Sequence, residues 1–367
     1  MQDIHVQIPS AEKTYPIIVG RNILDRLAEF IAQRQAHRRI VVISDDNVSR
    51  LHRDRFQEAL AGHPLDFISI PPGEKSKTRE MKLRIEDQLL EKQYGRDTLI
   101  LALGGGVVGD LAGFVAATYN RGIPFVQVAT SLLAMVDSSV GGKTGVDTPF
   151  GKNLIGAIRQ PEAVFADLSF LDTLPQIEFI NGLAEAIKIA IVLDREFCTF
   201  LEQHSTEILQ KEPAVTEHVI RRSIELKKQI VETDETESGP RQVLNFGHTI
   251  GHALEMASDY RMKHGLCVAI GMIAESNLSE KLGELKLADA QRIIRLLRAF
   301  DFSLHIDPDF DTERLIAYMR SDKKAHRQTP YFILLQEIGR IKSEPGVYSF
   351  LVPTSFIQKV IEELKVC

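Results

Sequence analysis

Glu185, His248 and His264 lie in the segments GLAEAIK, LNFGHTIGH and MKHG and supply one carboxylate and two imidazoles. That donor set suits Zn²⁺, and three protein ligands leave a fourth position open, the arrangement of a catalytic zinc site. His248 and His252 stand four residues apart, so a helix would turn both rings to one face. HTIGH has the histidine spacing of HExxH, but Thr249 stands where a metalloprotease has its catalytic Glu, which disfavours peptide hydrolysis. Upstream, GGGVVGD at 104–110 satisfies GxGxxG with Gly104, Gly106 and Gly109. A strand pattern precedes it and a helical pattern follows. In that context backbone N–H groups and a helix N-terminus can meet a pyrophosphate. Metal plus dinucleotide points to redox chemistry on a sugar-like hydroxyl.

The glycine fingerprint departs from its usual form. No acidic residue ends the next strand, PFVQVAT, and the turn does not follow the first strand. Asp45, at the end of RRIVVIS, is the better partner for a ribose or adenine. The loop PPGEKSK at 71–77 offers Glu74 and Lys77 to a nucleotide across the sheet edge.

Polar and cationic residues crowd two further segments. VDSSVGGKTGVDTPFGKN supplies Asp137, Lys143, Lys152 and Asn153, and DETESGPRQVLNFGH supplies Arg241 and Asn245. Lys188 follows Glu185 by one turn, and Lys227 and Lys324 come from other stretches. Buried cations are costly unless paired with anions, so a convergent set suits a small substrate with both a phosphate and a carboxylate. GGKT lacks the full Walker spacing, which argues against a nucleoside triphosphatase.

These residues need a scaffold. YPIIVG, RRIVVISDD, LDFISI, TLILALGGG and PFVQVAT read as strands, with amphipathic helices around 22–34, 52–61 and 77–93. The alternation predicts a mainly parallel, Rossmann-like sheet covered on both faces. Beyond Asp172 helical patterns dominate, at 176–193, 196–210, 213–232, 245–258, 265–283 and 288–300. Only YFILLQEIG and GVYSFLVP still carry strand signals there. The fold class expected is therefore an α/β N-terminal domain, residues 1–172, followed by an all-α metal-binding domain, residues 173–367.

Composition excludes other classes. The 367 residues are 44% hydrophobic and 26% charged, which is ample for a core. A net charge of −6 gives no global basic field for nucleic acid. Cys198, Cys267 and Cys367 are odd in number and far apart, which fits a reducing cytoplasm better than a disulfide framework. MQDIHVQIPS lacks the basic and apolar regions of a signal peptide, and no uninterrupted apolar run of 18 residues predicts a membrane span.

Taken in order, the motifs resemble the 3-dehydroquinate synthase family of sugar-phosphate cyclases. The resemblance rests on PGEKSK, ALGGGVVGDLAGFVAATYNRGIPFVQV, TSLLAMVDSSVGGKTGV, GKNLIGA, GLAEAIK, LNFGHTIGHA, HG followed by VAIGM, and SDKK, and spans about residues 15 to 350. It implies an active site in a cleft between an NAD-bearing α/β domain and a helical zinc domain. Zinc, or Co²⁺ in its place, would be held by Glu185, His248 and His264. NAD would meet Asp45, Glu74, Lys77, Gly105, Gly106, Val107, Asp110, Thr130, Ser131, Lys143, Lys152 and Thr173. Substrate would meet Asp137, Lys143, Asn153, Lys188, Lys227, Arg241, Asn245, His252 and a lysine of SDKK, Lys323 or Lys324. Arg121 of YNRG would reach a neighbouring subunit's phosphate, which implies a homodimer.

The implied reaction converts 3-deoxy-D-arabino-heptulosonate 7-phosphate to 3-dehydroquinate and phosphate. It would proceed by transient oxidation, phosphate elimination, reduction and aldol closure, with NAD regenerated. Where the family commonly has HGEAVA, this chain has HGLCVA, so Leu266 and Cys267 replace Glu and Ala. Sibling cyclases, of the 2-deoxy-scyllo-inosose or valiolone type, share the mechanism but differ in substrate. Arg241, Asn245 and Lys227 favour a carboxylate-bearing one. A metal-dependent polyol dehydrogenase would have no use for the cation cluster.

Overall fold

The structure is a computed structural model, and it describes residues 14–149, 151–321 and 329–366. The first half runs β1 (Ile17–Gly20), α1 (Leu24–Arg34), β2 (Arg39–Asp45), α2 (Asp46–Ala59), β3 (Leu65–Ile70), α3 (Arg79–Glu91), β4 (Thr98–Gly104), α4 (Gly106–Thr118) and β5 (Phe125–Ala129). A hairpin of β6 (Lys143–Thr148) and β7 (Gly151–Ile158) follows, then β8 (Ala163–Asp167). Six strands form one sheet in the order β1-β8-β5-β4-β2-β3, every pair parallel.

Burial explains the parallel sheet. Every residue of β4, β5 and β8 is buried, as expected for strands covered on both faces. Side chains alternate across the sheet. Val41, Ile43, Ile100 and Ala102 pack with Ile85 of α3 and Leu111 of α4. Ile40, Val42, Leu99 and Leu101 join Leu27 of α1, Phe56 of α2 and the helical half in one continuous core. The sheet therefore shares its core with the helices that follow it.

The strand order reverses direction between β2 and β4. In open parallel sheets a ligand crevice lies at the carboxyl ends of the strands flanking such a switch point. β2 ends at Asp45 and β4 ends at Gly104, and the two strands are paired neighbours. Topology thus puts the glycine turn beside Asp45, two motifs 59 residues apart in register terms from Ser44 to Leu103.

The second half runs α5 (Gln176–Leu193), α6 (Arg195–Gln203), α7 (Ser205–Leu209), α8 (Pro213–Thr233), α9 (His248–Ala257), α10 (His264–Lys281), α11 (Leu287–Ala299) and α12 (Thr312–Ser321). Short strands β9 (Tyr331–Phe332), β10 (Leu335–Glu337), β11 (Arg340–Ile341) and β12 (Phe350–Leu351) precede α13 (Thr354–Val366). They form two-residue to three-residue ribbons, β9 with β12 and β10 with β11. α5 and α10 are buried almost all round, the mark of central helices. The expected helix 196–210 divides at His204 into α6 and α7. No helix among the described residues is long and apolar enough to cross a membrane.

Candidate active site

Three helices bring the proposed ligands together. α5 carries Glu185 and Lys188 one turn apart, both buried. α9 begins at His248, directly after Gly247, whose φ of 79° is left-handed. A Cβ on Gly271 of α10 would lie 1.9 Å from the Gly247 carbonyl oxygen, so α10 can run this close only as glycine. α10 begins at His264. A Cβ on its next residue, Gly265, would lie 2.1 Å from the carbonyl oxygen of Asn181 on α5.

Glu185 Oε1 consequently sits 3.4 Å from His264 Nε2 and 3.7 Å from His248 Nε2. The three candidate ligand atoms all lie within 4.8 Å of one another. Glu185 Oε1 is buried, yet among the described residues no donor hydrogen-bonds to it. Buried polar atoms normally have a partner. A carboxylate oxygen facing two ring nitrogens supplies the chemistry that a divalent cation requires. Lys188 hydrogen-bonds the other oxygen, Oε2. Burial alone would raise the Glu185 carboxyl, but Lys188 and His264 together outweigh it and hold the group below the usual range.

His252, Glu255 and His264 form a second trio with ligand-like spacing. There, however, Glu255 Oε1 already accepts from His264 Nδ1 at 2.9 Å and from Lys152 Nζ at 3.2 Å. A proton on Nδ1 leaves the Nε2 lone pair turned toward Glu185, so the geometry favours the first trio as the metal site. Burial would depress His264, but Glu255 and then Glu185 raise it to about 9.

The residues expected to meet a nucleotide lie across the cleft. Gly105 caps α4, whose first N–H groups have no intrahelical partner. A Cβ on Gly105 would stand 3.1 Å from Ser131 Oγ, so the turn packs closely against the end of β5, where Thr130 is also buried. Val107 follows on the first turn of α4, and Asp110 stands one turn after Gly106. Lys77 bridges Asp110 Oδ2 and Asn153 Oδ1, both at 2.6 Å. Burial would lower its ammonium, but Asp110, Glu74 and Asp147 hold it above the usual lysine range. Lys152 lies 3.4 Å from Glu74. Thr173 bonds His52 Nε2 at 2.8 Å. Asp45 does local work as well: its Oδ1 caps α2 by accepting from Asn47 and Val48 backbone N–H groups.

The cation cluster fills the third wall. Lys227 Nζ donates to Asp137 Oδ1 at 2.5 Å and to the Asp137 carbonyl at 2.7 Å. Burial lowers Lys227 despite that partner, while Lys227 and Lys188 overcome burial to hold Asp137 well below the carboxylate range. Arg241 is buried and donates to the carbonyls of Glu235 and Gly141, at 2.5 and 3.2 Å. Glu237 pairs with Lys143 and accepts from Asn245 Nδ2 at 2.6 Å.

All three walls line one cleft of ≈ 1600 Å³. That exceeds the roughly 300–1,000 Å³ of a single-ligand pocket and leaves room for a dinucleotide with a second ligand. Asp45, Glu74, Lys77, the glycine turn with Val107 and Asp110, Thr130, Ser131, Lys152 and Thr173 line it. So do Asp137, Lys143, Asn153, Lys188, Lys227, Arg241, Asn245, His248, His252 and His264. Glu185 is fully buried just behind this lining. Arg121 lies elsewhere, exposed on the turn after α4, with a left-handed φ of 64°. Lys323 and Lys324 lie outside the described residues.

Sequence reasoning missed Glu255, Glu237 and His52, which all line the cleft. Glu255 had a signal: it follows His248 and His252 by seven and three residues, on the same helix face. Leu266 and Cys267 take no place in the cleft lining. Leu266 packs against the core and Cys267 is buried within it.

Comparison with known proteins agrees with this architecture. Residues 67–181 match the family model for the 3-dehydroquinate synthase N-terminal region, and residues 182–325 match that for its C-terminal region. A 3-dehydroquinate synthase of Methylococcus capsulatus is 42% identical over 340 residues, 92% of this chain and 94% of that protein. The crystal structure of a 2-deoxy-scyllo-inosose synthase complexed with carbaglucose-6-phosphate, NAD⁺ and Co²⁺ superposes with a TM-score of 0.89 at 26% identity, covering 96% of this chain and 98% of that one. A 2-epi-5-epi-valiolone synthase from Streptomyces hygroscopicus with NAD⁺ and Zn²⁺ bound gives a TM-score of 0.87 at 28% identity, covering 98% and 99%. On the sequence match across both halves and on the fold, this chain belongs to the 3-dehydroquinate synthase family.

Proposed function

We propose that the cleft converts 3-deoxy-D-arabino-heptulosonate 7-phosphate to 3-dehydroquinate and phosphate, using NAD⁺ and a divalent metal, Zn²⁺ or Co²⁺. The observation that carries this reading is the buried Glu185 Oε1, left without a donor and faced by two imidazole nitrogens at the foot of the cation cluster. Two cyclases of closely similar fold hold NAD⁺ together with Co²⁺ or Zn²⁺, which supports the same pair here. Glu185, His248 and His264 would hold the metal, and a bound metal polarises the substrate hydroxyl and stabilises its alkoxide. The α4 N-terminus, Lys77, Glu74 and Asp45 would hold NAD, which supplies a reversible hydride acceptor.

The chain's own residues do the rest. Lys188 holds one oxygen of Glu185 and, with His264, favours the ionised carboxylate, which leaves the other oxygen for the metal. Arg241 spends its hydrogen bonds on backbone carbonyls, and its charge is available to the substrate carboxylate. Lys143 and Asn245 meet on Glu237, so an incoming anion would take over donors that this carboxylate now holds. Lys227, depressed by burial, gains from an added anion, and with His252 it would neutralise charge on the departing phosphate. Arg121 would reach the phosphate of a neighbouring subunit in a homodimer. We place the junction between the NAD side, residues 1–172, and the metal side, residues 173–367, after the last sheet strand.

A sibling cyclase substrate is the second reading, because the fold is shared. The higher identity to 3-dehydroquinate synthase and the retained Arg241, Asn245 and Lys227 favour the heptulosonate. The test is turnover of purified protein on that phosphate with NAD⁺ and Zn²⁺. Release of phosphate supports the assignment. Turnover only on glucose 6-phosphate or sedoheptulose 7-phosphate overturns it.

A further inference from the structure

Glu255 is 2% exposed and carries a charge that no step described above uses. Its Oε1 accepts from His264 Nδ1 at 2.9 Å and from Lys152 Nζ at 3.2 Å. Its Oε2 is buried with no hydrogen-bond partner among the described residues. A buried carboxylate is expensive unless paired, and here His264 and Lys152 are its partners. The contact also fixes the His264 ring. With Nδ1 tied to Glu255 on α9, Nε2 is held toward Glu185 on α5, 3.4 Å away. The same contact spans nine residues from the last turns of α9 to the first residue of α10, so it ties the two histidine-bearing helices together. Lys152 is in turn shared with Glu74 of the loop after β3, 3.4 Å away, and its ammonium lies 5.0 Å from the Tyr260 ring centroid. The counter-charge of the clamp is itself held in place from the nucleotide side.

We propose that Glu255 is a positioning residue for the metal site: it selects the Nδ1–H tautomer of His264, orients Nε2 toward Glu185, and raises the ring's basicity as a ligand. This rests on the reading of Glu185, His248 and His264 as the metal ligands. Partners of this kind typically change metal affinity 10–100-fold when altered.

The experiment compares Glu255→Gln, His248→Ala and the unaltered full chain. Each is loaded with Co²⁺, and metal affinity is measured by chelator competition beside the visible Co²⁺ spectrum and NAD⁺ affinity. Glu255→Gln keeps the size and one acceptor but removes the charge. The expected result is metal affinity lowered about 10–100-fold, a shifted Co²⁺ spectrum and NAD⁺ affinity within about threefold of the unaltered chain. Wild-type metal affinity and spectrum in Glu255→Gln overturn the proposal. An equal fall in metal and NAD⁺ affinity also overturns it, since it would mark a general packing role. If His248→Ala keeps its metal, the ligand reading itself fails. If His248→Ala loses its metal while Glu255→Gln does not, only the positioning role fails.

Discussion

The convergence of α5 and α10 makes Gly265→Ala a direct test of how His264 is placed. The added Cβ would stand 2.1 Å from the Asn181 carbonyl oxygen, 2.8 Å from its carbonyl carbon and 2.9 Å from its Cα. These are backbone atoms in the middle of a buried helix, so no side chain can swing aside. Reaching ordinary van der Waals separation requires α10 to retreat by on the order of 1 Å. Overpacking of this kind costs about 1–3 kcal/mol. The retreat also breaks the 2.6 Å bond from Gly265 N–H to Asn181 Oδ1 and carries His264, the adjacent residue, away from Glu185. A misplacement of ~1 Å at reacting groups can cost about 100-fold in rate. Metal affinity by chelator competition, kcat and Tm should therefore all fall together in Gly265→Ala. Gly62→Ala is the matched control, because its Cβ would meet nothing within 4 Å. Gly265→Ala with unchanged metal affinity and kcat would refute the claim that this helix contact sets the ligand geometry.

Other perturbations give separate tests. Burial pushes Asp147 up to about 6 from an ordinary value of 3.8, with Glu74 opposing the pull of Lys77. The native state then holds this proton more tightly than the unfolded chain, so the group's stabilising contribution is present below about pH 4 and is lost as pH rises through 6. Asp147→Asn should therefore be more stable than the unaltered chain at pH 8, by up to about 3 kcal/mol, with the gap closing below pH 4. Urea unfolding at both pH values checks this, and a gap independent of pH would contradict it. For Arg121, each single variant, Arg121→Ala and His248→Ala, should be inactive as a homodimer. Mixing them after dissociation should restore about one quarter of full activity, because half the dimers then contain one complete site. No recovery on mixing would place Arg121 outside the partner's site.

Much of the scaffold could be read from the chain because its signals are local. β3 appears at Leu65–Ile70 and α5 at Gln176–Leu193, where the β-branched run and the 3.6-residue periodicity placed them. The hairpin of β6 and β7 and the strand β8 were not anticipated. β7 is mostly exposed, so its pattern lacks the buried alternation that marks a strand, and β8 is only five residues long. The candidate metal donors could be read as residue types, but their convergence depends on Gly265 and Gly271 letting helix backbones touch, which periodicity does not record. Glu255 and Glu237 were passed over for a related reason. Acidic residues on helices and loops are ordinarily solvated, and only tertiary packing turns these two toward His264 and Lys143. Asp45 was read as a nucleotide partner, and it lines the cleft while also capping α2, a second role written in its position before a helix.

In the proposed reaction one cleft oxidises, eliminates phosphate and reduces again without consuming its cofactor. The most direct measurement incubates the protein with 3-deoxy-D-arabino-heptulosonate 7-phosphate, Zn²⁺ and a trace of NAD⁺, following phosphate and NADH together. The expected result is phosphate release far in excess of the NAD⁺ supplied, with no net NADH. NADH accumulating in step with substrate loss, and no phosphate released, would contradict it and indicate a polyol dehydrogenase.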